Sequence, residues 1–508
     1  MKIKNNIIIC ILLGLIWQGL AQDKPLTKKQ MYADFDELIT ILQDCNPQLP
    51  VRKAVTNIYQ LEMAKSLRTN IDTINDRESF SSLLSQVLNC MYDIHAKKTN
   101  DYDSYDNLKN IDTAILIYRK NNAKRPVYQP FVTLIGNPIY VNGEYFLGGL
   151  YQFIDIEKND TLRLFYSKIL AYNNIPYKKY IQETLNEYPS EGIRWNIQSK
   201  EYYHIFPTIP YSGILTVEDN KKVINLDLNR KYGINISQSD TIIKLNIPNK
   251  DRAINETIFY SDIDSVLFIG LNSMYDPKKE IAKKIKEIGK DKPIDKIIID
   301  VRGNNGGSDF VWHSILKAIV ADSLLYNPIL AFKNTKRVKK LYNYPNAFYD
   351  IKKLEIRKFD WLPEETFLVT NFKPDYILPD SNSLKYKGKI YILQNEEVYS
   401  AAHSLASYAS HIKQLVSVGE PSGLLAGFGL SPALFQLKYS KFTFRLETAI
   451  DVSNVIKVED VYQNIPEIIV KIPTEKKLEY EQDWHYNRHY KEYLYNYDFL
   501  FQKVLDMK

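Results

Sequence analysis

The sequence lacks the motifs by which most cofactor-binding and nucleic-acid-binding proteins are identified. Its 508 residues contain three cysteines and no Cys-x-x-Cys pair, so no structural zinc site is indicated. There is no GxGxxG fingerprint and no Walker loop, which leaves nucleotide binding without support. The formal net charge of +6 is mild, and no basic run alternates with aromatic residues, so nucleic acid is not an expected partner. The composition, 45% hydrophobic and 25% charged, is typical of a globular protein.

Long apolar runs are also absent beyond the N-terminus. A basic start precedes a short apolar core over residues 7–16, and Ala21 ends a small-x-small cleavage site. This pattern predicts a signal peptide over residues 1–21, and no later run is long enough to hold the mature chain in a membrane. We therefore expect export to the periplasm, the cell surface or the medium. Cleavage would leave Cys45 and Cys90, either as a disulfide or as two buried thiols.

What the chain does contain is a strand, a glycine-rich loop and a helix over residues 296–320. The β-branched run Ile297–Ile299 predicts a buried strand, and the amphipathic run Phe310–Val320 predicts a helix. Between them, Gly306 and Gly307 allow the backbone to approach a ligand closely and to direct N–H groups at an anion. Such a loop either binds an anion or packs a helix on a sheet.

A second strand, loop and helix follow further along the chain. Residues 388–393 predict a strand, and the next helix begins at Ser400. A serine at such a junction meets the free N–H groups and the positive end of the helix dipole. Its hydroxyl can serve as a nucleophile, with an oxyanion hole made by the amides of Ala401 and of Gly306 or Gly307. The alternative is that Ser400 is an ordinary helix N-cap.

The order of these motifs resembles that of the tail-specific or C-terminal processing peptidases. These enzymes form family forty-one of the serine peptidases and are related to the tricorn core protease. The resemblance covers residues 265–475 and rests on four segments in the family's order, DVRGNNGG, GKIYIL with YSAAHSLA, VGEPSG and IPEIIV. Residues 80–95 are similar to a helix that ends in an aspartate-glycine-histidine motif in secreted members. The resemblance implies that Ser400 is the nucleophile of a serine peptidase.

The resemblance also implies which residue activates the serine. One branch of the family uses a lysine after the glycine-glutamate-proline segment, but residues 419–429 contain none. The tricorn-like branch uses an upstream histidine, and His95 stands at the matching place with a side chain whose ordinary pKa suits a general base. Ile94 and Ala96 replace the glycine and threonine usual in the family, which leaves the group that orients His95 open. Glu459, near the place of a supporting glutamate in tricorn-like enzymes, is our candidate.

The other histidines have weaker patterns. His403 lies three residues after Ser400 on the same helix face, where the family usually has glutamate. Either a supporting role or a packed or solvated side chain fits that position. His485 and His489 have a spacing that could bind a metal, but no HExxH pattern supplies a third ligand. We expect a surface helix there and no metal site.

The expected architecture has two domains before the catalytic core. Helical periodicity predicts an N-terminal helical domain over residues 22–115, with helices at 28–42 and 80–91. Residues 116–215 predict a β-rich domain, with a hairpin turn at Asn142-Gly143.

Within the middle domain, residues 169–181 resemble the strand-turn-helix element of PDZ-like modules, with Asn174 in place of the expected glycine. Such a module would capture an extended peptide end, whereas the alternative is a β-rich spacer with no ligand. The resemblance implies that residues 216–508 form an α/β catalytic core, a mixed sheet with flanking helices of the ClpP/crotonase-like kind, followed by a C-terminal helix.

The combined interpretation is a secreted or periplasmic serine endopeptidase that hydrolyses exported proteins or peptides without a metal or cofactor. Ser400 would attack, His95 would act as the base, and Asp300 and Arg302 would fix the glycine loop. The alternative is a catalytically impaired, peptidase-like scaffold that binds peptides without turnover, because the neighbours of His95 are altered and the lysine is missing. A hydrolase of another ester or amide is a third option, although the chain lacks a G-x-S-x-G elbow.

Overall fold

The computed structural model describes most of the chain from residue 25 to residue 507. The described residues are 25–93, 95–99, 138–147, 150–155, 160–185, 193–196, 199–204, 207, 209, 212–229, 232–236, 256–343, 351–370, 375–422, 433–453, 455–461, 464–478 and 489–507. The signal peptide predicted over residues 1–21 lies outside them, as do Ile94 and His485. None of the helices in these ranges combines the length and apolar character needed to cross a membrane.

Helices are concentrated near the N-terminus, around the central sheet and at the C-terminus. They are α1 (Lys28–Cys45), α2 (Gln48–Thr56), α3 (Gln60–Ser66), α4 (Arg77–Asn89), α5 (Tyr177–Thr184), α6 (Ile281–Gly289), α7 (Asp309–Ile319), α8 (Lys336–Tyr342), α9 (Ala401–Ala409), α10 (Lys491–Asn496) and α11 (Phe499–Leu505), with 3-10 turns at Leu67–Thr73, Ile351–Lys353 and Val458–Val461. The helices predicted over residues 28–42 and 80–91 are confirmed as α1 and α4. A capping box between Thr27 and Gln30 fixes the start of α1.

Within the described residues the strands form several sheets, two of which have six strands. They are β1 (Lys97–Lys98), β2 (Ile139–Val141), β3 (Glu144–Phe146), β4 (Leu150–Asp155), β5 (Asp160–Phe165), β6 (Lys168–Tyr172), β7 (Ile175–Pro176), β8 (Ile193–Asn196), β9 (Glu201–His204), β10 (Ile214–Asp219), β11 (Lys222–Asp227), β12 (Tyr232–Ile236), β13 (Glu256–Ser261), β14 (Val266–Leu271), β15 (Lys296–Asp300), β16 (Leu324–Tyr326), β17 (Leu330–Lys333), β18 (Leu354–Phe359), β19 (Leu362–Thr370), β20 (Asp375–Ile377), β21 (Ile390–Gln394), β22 (Leu415–Gly419), β23 (Ala433–Gln436), β24 (Thr443–Leu446), β25 (Ile450–Asp451) and β26 (Ile468–Ile469). The chain therefore has a mixed α/β fold.

The sheet that carries the strands before the glycine loop and before Ser400 runs β13-β14-β15-β21-β22-β26. Strand β13 is antiparallel to β14, and the remaining neighbours are parallel. Ile297 and Ile299 of β15 pack on one face, with α6, α7 and α9. Ile298 packs on the opposite face, with α11. Because both faces are covered by helices, the three central residues Ile297–Ile299 are apolar at consecutive rather than alternate positions, as expected of the buried strand predicted from the sequence.

The middle of the chain forms antiparallel sheets, of which the largest has the order β11-β10-β6-β3-β2. The hairpin predicted at Asn142-Gly143 is confirmed, because Val141 pairs with Glu144 and both turn residues have positive φ. The predicted strand-turn-helix is also present as β6, β7 and α5. Asn174 has a φ of 64° there, a conformation that asparagine tolerates better than most residues in place of glycine.

The N-terminal helices pack on a part of the chain that is distant in sequence. Phe35, Phe80 and Leu84 share one apolar core with Phe435 and Phe444, which lie on β23 and β24. Strand β1 follows α4 and pairs antiparallel with β24, with Lys97 opposite Arg445 and Lys98 opposite Phe444. This docking brings the residues that follow α4 alongside the end of β24.

The two cysteines that would remain after cleavage lie in these helices or at their ends and do not form a disulfide. Cys45 and Cys90 are free and buried. Burial raises the pKa of each thiol to about 12. Of the two alternatives left open by the sequence, the structure shows buried thiols.

The C-terminal helices are tied to the glycine-rich loop by buried charges. Arg302 donates hydrogen bonds to Asp300 and, from Nη1 and Nη2, to the carboxylate of Asp498 at 3.1 and 2.8 Å. Asp498 is the N-cap of α11 and accepts from the amide of Phe501. All three charged side chains are almost completely buried. Asp300 and Arg302 therefore hold the start of the loop against α11, where a buried charge without a partner would be strongly destabilising.

Replacing Asp498 should destabilise the protein in two separable ways. We expect Asp498→Ala to lower the free energy of unfolding by about 3 kcal/mol or more, since it removes both a buried ion pair and a helix cap. Asp498→Asn keeps a good N-cap residue, so its loss should be smaller by about 1 kcal/mol. Urea denaturation measures both changes, with Asp506→Asn, at the exposed C-cap position of the same helix, as the control. Equal stability of Asp498→Ala and the parent protein would contradict this account.

Candidate active site

Ser400 lies at the junction between the loop after β21 and the start of α9. Its φ of 53° and ψ of −127° place it in a region that residues other than glycine rarely adopt. The side chain makes no capping hydrogen bond to α9, although serine is a good N-cap. The N-cap alternative therefore does not account for this residue. A backbone in so sparsely populated a region, with no capping hydrogen bond to account for it, is more typical of a functional position.

The glycine loop packs directly against this junction. Strands β15 and β21 are parallel neighbours, so the loops that follow their carboxyl ends meet at one edge of the sheet. Gly306 has a φ of 86°, and a Cβ atom built on it would lie 2.5 Å from Cβ of Ser400. The amide of Tyr399 donates to the carbonyl of Asn304 at 3.1 Å, which joins the two loops. Only glycine fits at position 306.

Two of the three amides considered for the oxyanion hole make no hydrogen bond to the described residues. Gly306 donates its N–H to Oδ1 of Asn304 at 2.8 Å, so that amide already has a partner. Within the part of the chain that the structure describes, the amides of Gly307 and Ala401 donate to no protein acceptor. The Ala401 nitrogen lies 2.8 Å from the position that a Gly306 Cβ would occupy. Of the two glycines predicted for an oxyanion hole, Gly307 is therefore the one with an open donor.

His95 approaches the same junction from the N-terminal helices. Its ring lies 4.8 Å, between centroids, from the ring of Tyr399, the residue before Ser400. On its other side, Nδ1 lies 3.6 Å from Oε1 of Glu447. The register of β1 with β24 explains this contact. Lys97 pairs with Arg445 in an antiparallel arrangement. Continuing that register by two residues, backwards from Lys97 and forwards from Arg445, places His95 opposite Glu447. Asp93 completes a buried group of three titratable side chains.

Burial determines the charge of this group. It lowers the pKa of His95 to about 3, with the nearby Arg445 acting in the same direction. It raises the pKa of Glu447 to about 8, and it raises the pKa of Asp93 as well, with Glu447 adding to that effect. At neutral pH the contact between His95 and Glu447 is therefore one between largely uncharged groups rather than an ion pair. A neutral imidazole is the form that can accept a proton.

The carboxyl of Glu447 is held from its other side. Gln48 of α2 donates from Nε2 to Oε2 of Glu447, and Arg52 donates to Oε1 of Gln48 at 2.6 Å. Arg52 also donates to the carbonyl of Tyr92 at 2.6 Å, close to the segment that carries His95. These contacts fix the position of Glu447 relative to that segment.

The other residues singled out from the sequence lie elsewhere. Glu459 is exposed on the 3-10 turn Val458–Val461, and Glu447 takes the place beside His95 that was expected for it. His403 is buried in α9, and burial lowers its pKa to about 4. His489 is also buried, with Nε2 at 3.8 Å from Asp300, so the expectation of a surface helix was wrong at this residue. Its partner in the spacing, His485, lies outside the described residues.

The part of the chain that contains Ser400 matches the sequence model of a known protein family. Residues 265–453 match the model of peptidase family S41. The protein contains a peptidase family S41 domain. It is accordingly a serine-type peptidase, a class of hydrolase, and the family implies peptide or protein substrates. The S41 match includes Gly306, Gly307, Ser400 and Glu447, whereas His95 precedes it. No curated protein matches the sequence.

Two solved structures of mature CPAF align with nearly the whole chain. The crystal structure of mature CPAF aligns with a TM-score of 0.53 at 13% identity, covering 94% of this chain and 98% of that one. Mature CPAF complexed with lactacystin aligns with a TM-score of 0.50 at 12% identity and the same coverage. The photosystem II D1 C-terminal processing protease covers 88% of this chain and 95% of its own, at 11% identity and a TM-score of 0.36. At such identities, the CPAF alignments indicate a shared fold.

A side chain at position 306 should displace Ser400. In Gly306→Ala the new methyl group would clash with Ser400 and with the carbonyl of Tyr399, so we expect the rate of Ser400 labelling by a fluorophosphonate to fall about a hundredfold. Gly143→Ala is a matched control, because Gly143 also has a positive φ but has only the Tyr140 hydroxyl within 4.0 Å. If both variants were labelled at the same rate, close packing at Gly306 would not position Ser400.

Proposed function

We propose that the protein is an exported serine endopeptidase in which Ser400 is the nucleophile and His95 the general base. The observation that carries the proposal is the position of His95, between the loop that bears Ser400 and the carboxyl of Glu447. Nucleophile, base and a third group that orients the base are the parts that acyl transfer requires, whatever their order in the chain. The strained φ of Ser400 supports the assignment of the nucleophile.

In the proposed reaction, Ser400 Oγ attacks the scissile carbonyl carbon while Nε2 of His95 takes the hydroxyl proton. The carbonyl oxygen becomes an oxyanion and accepts hydrogen bonds from the amides of Ala401 and Gly307. His95 then returns the proton to the leaving amine, and the C–N bond breaks. A water molecule, deprotonated by the same imidazole, hydrolyses the acyl-enzyme. Gly306 contributes by allowing the close approach of the two loops, and it donates to Asn304 instead of to the oxyanion.

Glu447 replaces Glu459 as the proposed partner of the imidazole. The positive charge that forms on His95 during attack is unfavourable in a buried site unless a carboxylate lies beside it. Glu447 is 3.6 Å from Nδ1, a distance that has to shorten as the reaction proceeds. Its ionised form becomes more favourable as His95 gains a proton, because the two charges then stabilise each other. Asp93, which accepts from the amide of His95 at 2.9 Å, positions the backbone of the base.

The substrates we propose are exported proteins or peptides, in line with the signal peptide expected over residues 1–21. For the middle region we propose a PDZ-like role in capturing an extended chain end. The support is an antiparallel sheet that leaves β11 and β2 at its edges, with α5 following β7. Adding a peptide strand to an open edge is a common recognition mode. The domain boundaries given above, 22–115, 116–215 and 216–508, remain predictions.

Covalent labelling tests the nucleophile and the base. We expect the purified protein to react stoichiometrically with a fluorophosphonate probe and to hydrolyse a fluorescently labelled protein substrate. Ser400→Ala should abolish labelling, and His95→Ala should slow both reactions by a factor of at least about 10⁴. Matched controls are Ser407→Ala on the same helix and His411→Ala, a histidine near its end. Absence of labelling in the folded parent protein would instead favour the scaffold that binds peptides without turnover.

A pair of isosteric substitutions distinguishes the two glutamates. Glu447→Gln preserves the uncharged shape of the resting side chain but cannot become negative, so we expect labelling to slow by about 10³-fold or more while thermal unfolding changes little. Glu459→Gln, at an exposed position, should react like the parent protein. The opposite pattern, with Glu459→Gln slow and Glu447→Gln normal, would return the supporting role to Glu459.

A further inference from the structure

We propose that Asp93, His95 and Glu447 form a binding site for a zinc ion, and that zinc bound there prevents His95 from acting as a base. This inference rests on the function proposed above, since it concerns the regulation of the same site. None of the sequence motifs indicates such a site, because the three residues come together only through the pairing of β1 with β24.

The positions of the three side chains fit a metal ion. Each offers one ligand atom, and these atoms all lie within 4.8 Å of one another. Nδ1 of His95 and Oε1 of Glu447 are 3.6 Å apart. Two ligands bound about 2 Å from zinc at a tetrahedral angle are about 3.3 Å apart, so this pair needs only a small adjustment.

Two of these atoms are buried without a hydrogen bond. Within the described part of the chain, neither Nδ1 of His95 nor Oε1 of Glu447 has a partner. The side chains are only 7% and 1% exposed, so water does not readily replace the missing partner. Buried polar atoms are usually satisfied, and a pair left open at this separation points to a ligand between them. A cation would satisfy both atoms at once.

The chemistry of the ligands favours zinc over magnesium or calcium. One imidazole nitrogen and two carboxylates form a mixed nitrogen and oxygen set, which zinc accepts with a fourth position for water, whereas magnesium and calcium prefer oxygen ligands alone. Gln48 donates to the other oxygen of Glu447 and so provides the outer hydrogen bond that orients a metal ligand. Arg52 and Arg445, whose charges act on Glu447, oppose a cation. Their presence favours a reversible site over a permanently filled one.

Zinc at this position would block the proposed reaction through the tautomer of His95. A neutral imidazole that binds a metal through Nδ1 carries its proton on Nε2. Nε2 is then a donor and cannot accept the proton of the Ser400 hydroxyl. Zinc would also take the carboxylate of Glu447 away from its role beside the imidazole. The ion would therefore inhibit the peptidase without contacting Ser400.

The test combines a binding measurement with a labelling rate, both on the full purified protein after removal of metal by a chelator. We expect calorimetric titration with zinc chloride to show one ion per chain. Saturation should slow fluorophosphonate labelling of Ser400 at least about tenfold, and excess EDTA should restore it. Asp93→Asn and Glu447→Gln should each weaken zinc binding at least about tenfold, while Glu459→Gln should bind zinc like the parent protein.

The outcomes separate this inference from the proposed function. No zinc binding, or equal binding by Asp93→Asn and the parent protein, would overturn the site even if Ser400 were labelled normally. Zinc binding that depends on Asp93 but leaves the labelling rate unchanged would overturn the inhibition. If the metal-free protein were folded but unlabelled, the proposed function would fail and the calorimetry alone would decide whether the zinc site exists. Thermal unfolding of each variant shows whether a loss of binding reflects a loss of fold.

Discussion

The site depends on one short antiparallel contact, the pairing of β1 with β24. Strand β1 has two residues and could not hold its register alone. Its register is set by the apolar core in which Phe80 and Leu84 of α4 pack against Phe435 and Phe444. That packing brings His95 opposite Glu447, although some 350 residues of chain separate them. A slip of one residue would turn one of the two side chains away from the other, so the core of the N-terminal helices also determines the geometry of the proposed base.

The second half of the site arises from parallel strand order rather than from a long-range contact. Strands β15 and β21 each end in a loop at the same edge of the sheet. The buried ion pair between Arg302 and Asp498 fixes the loop after β15 to the start of α11. Glycine at position 306 then lets the loops touch. Loops that are held by a rigid sheet can position a nucleophile and two amides precisely. Ligand sites in sheets of this kind commonly lie at the carboxyl ends of the strands.

One half of the site comes from local strand-loop-helix patterns and the other half from a long-range contact, and this difference explains what the sequence could and could not predict. The strand before Gly306, the helix after Ser400 and the Asn142-Gly143 hairpin follow from local patterns, and each is present. Glu459 was predicted from its position near the IPEIIV segment, and that position carries no information about the register of β1 and β24. Glu447 has no local signal, because an isolated glutamate after a short strand is commonplace. Similarly, His489 was misjudged because its burial depends on packing against Gly270, a contact between distant parts of the chain.

The charge state of Asp93, His95 and Glu447 also follows from the packing of the N-terminal helices against β24. Three titratable side chains in a dry environment cannot all be ionised, since each charge loses its hydration and like charges repel. The resting site is therefore nearly neutral, with the pKa of His95 lowered and those of Glu447 and Asp93 raised. Charge should form there only when a proton moves from Ser400 to His95, or when a dication enters. The proposed reaction requires these carboxyl groups to stabilise a transient positive charge on imidazole, and the proposed zinc site requires them to bind a positive ion. Catalysis and inhibition by zinc would therefore draw on the same groups.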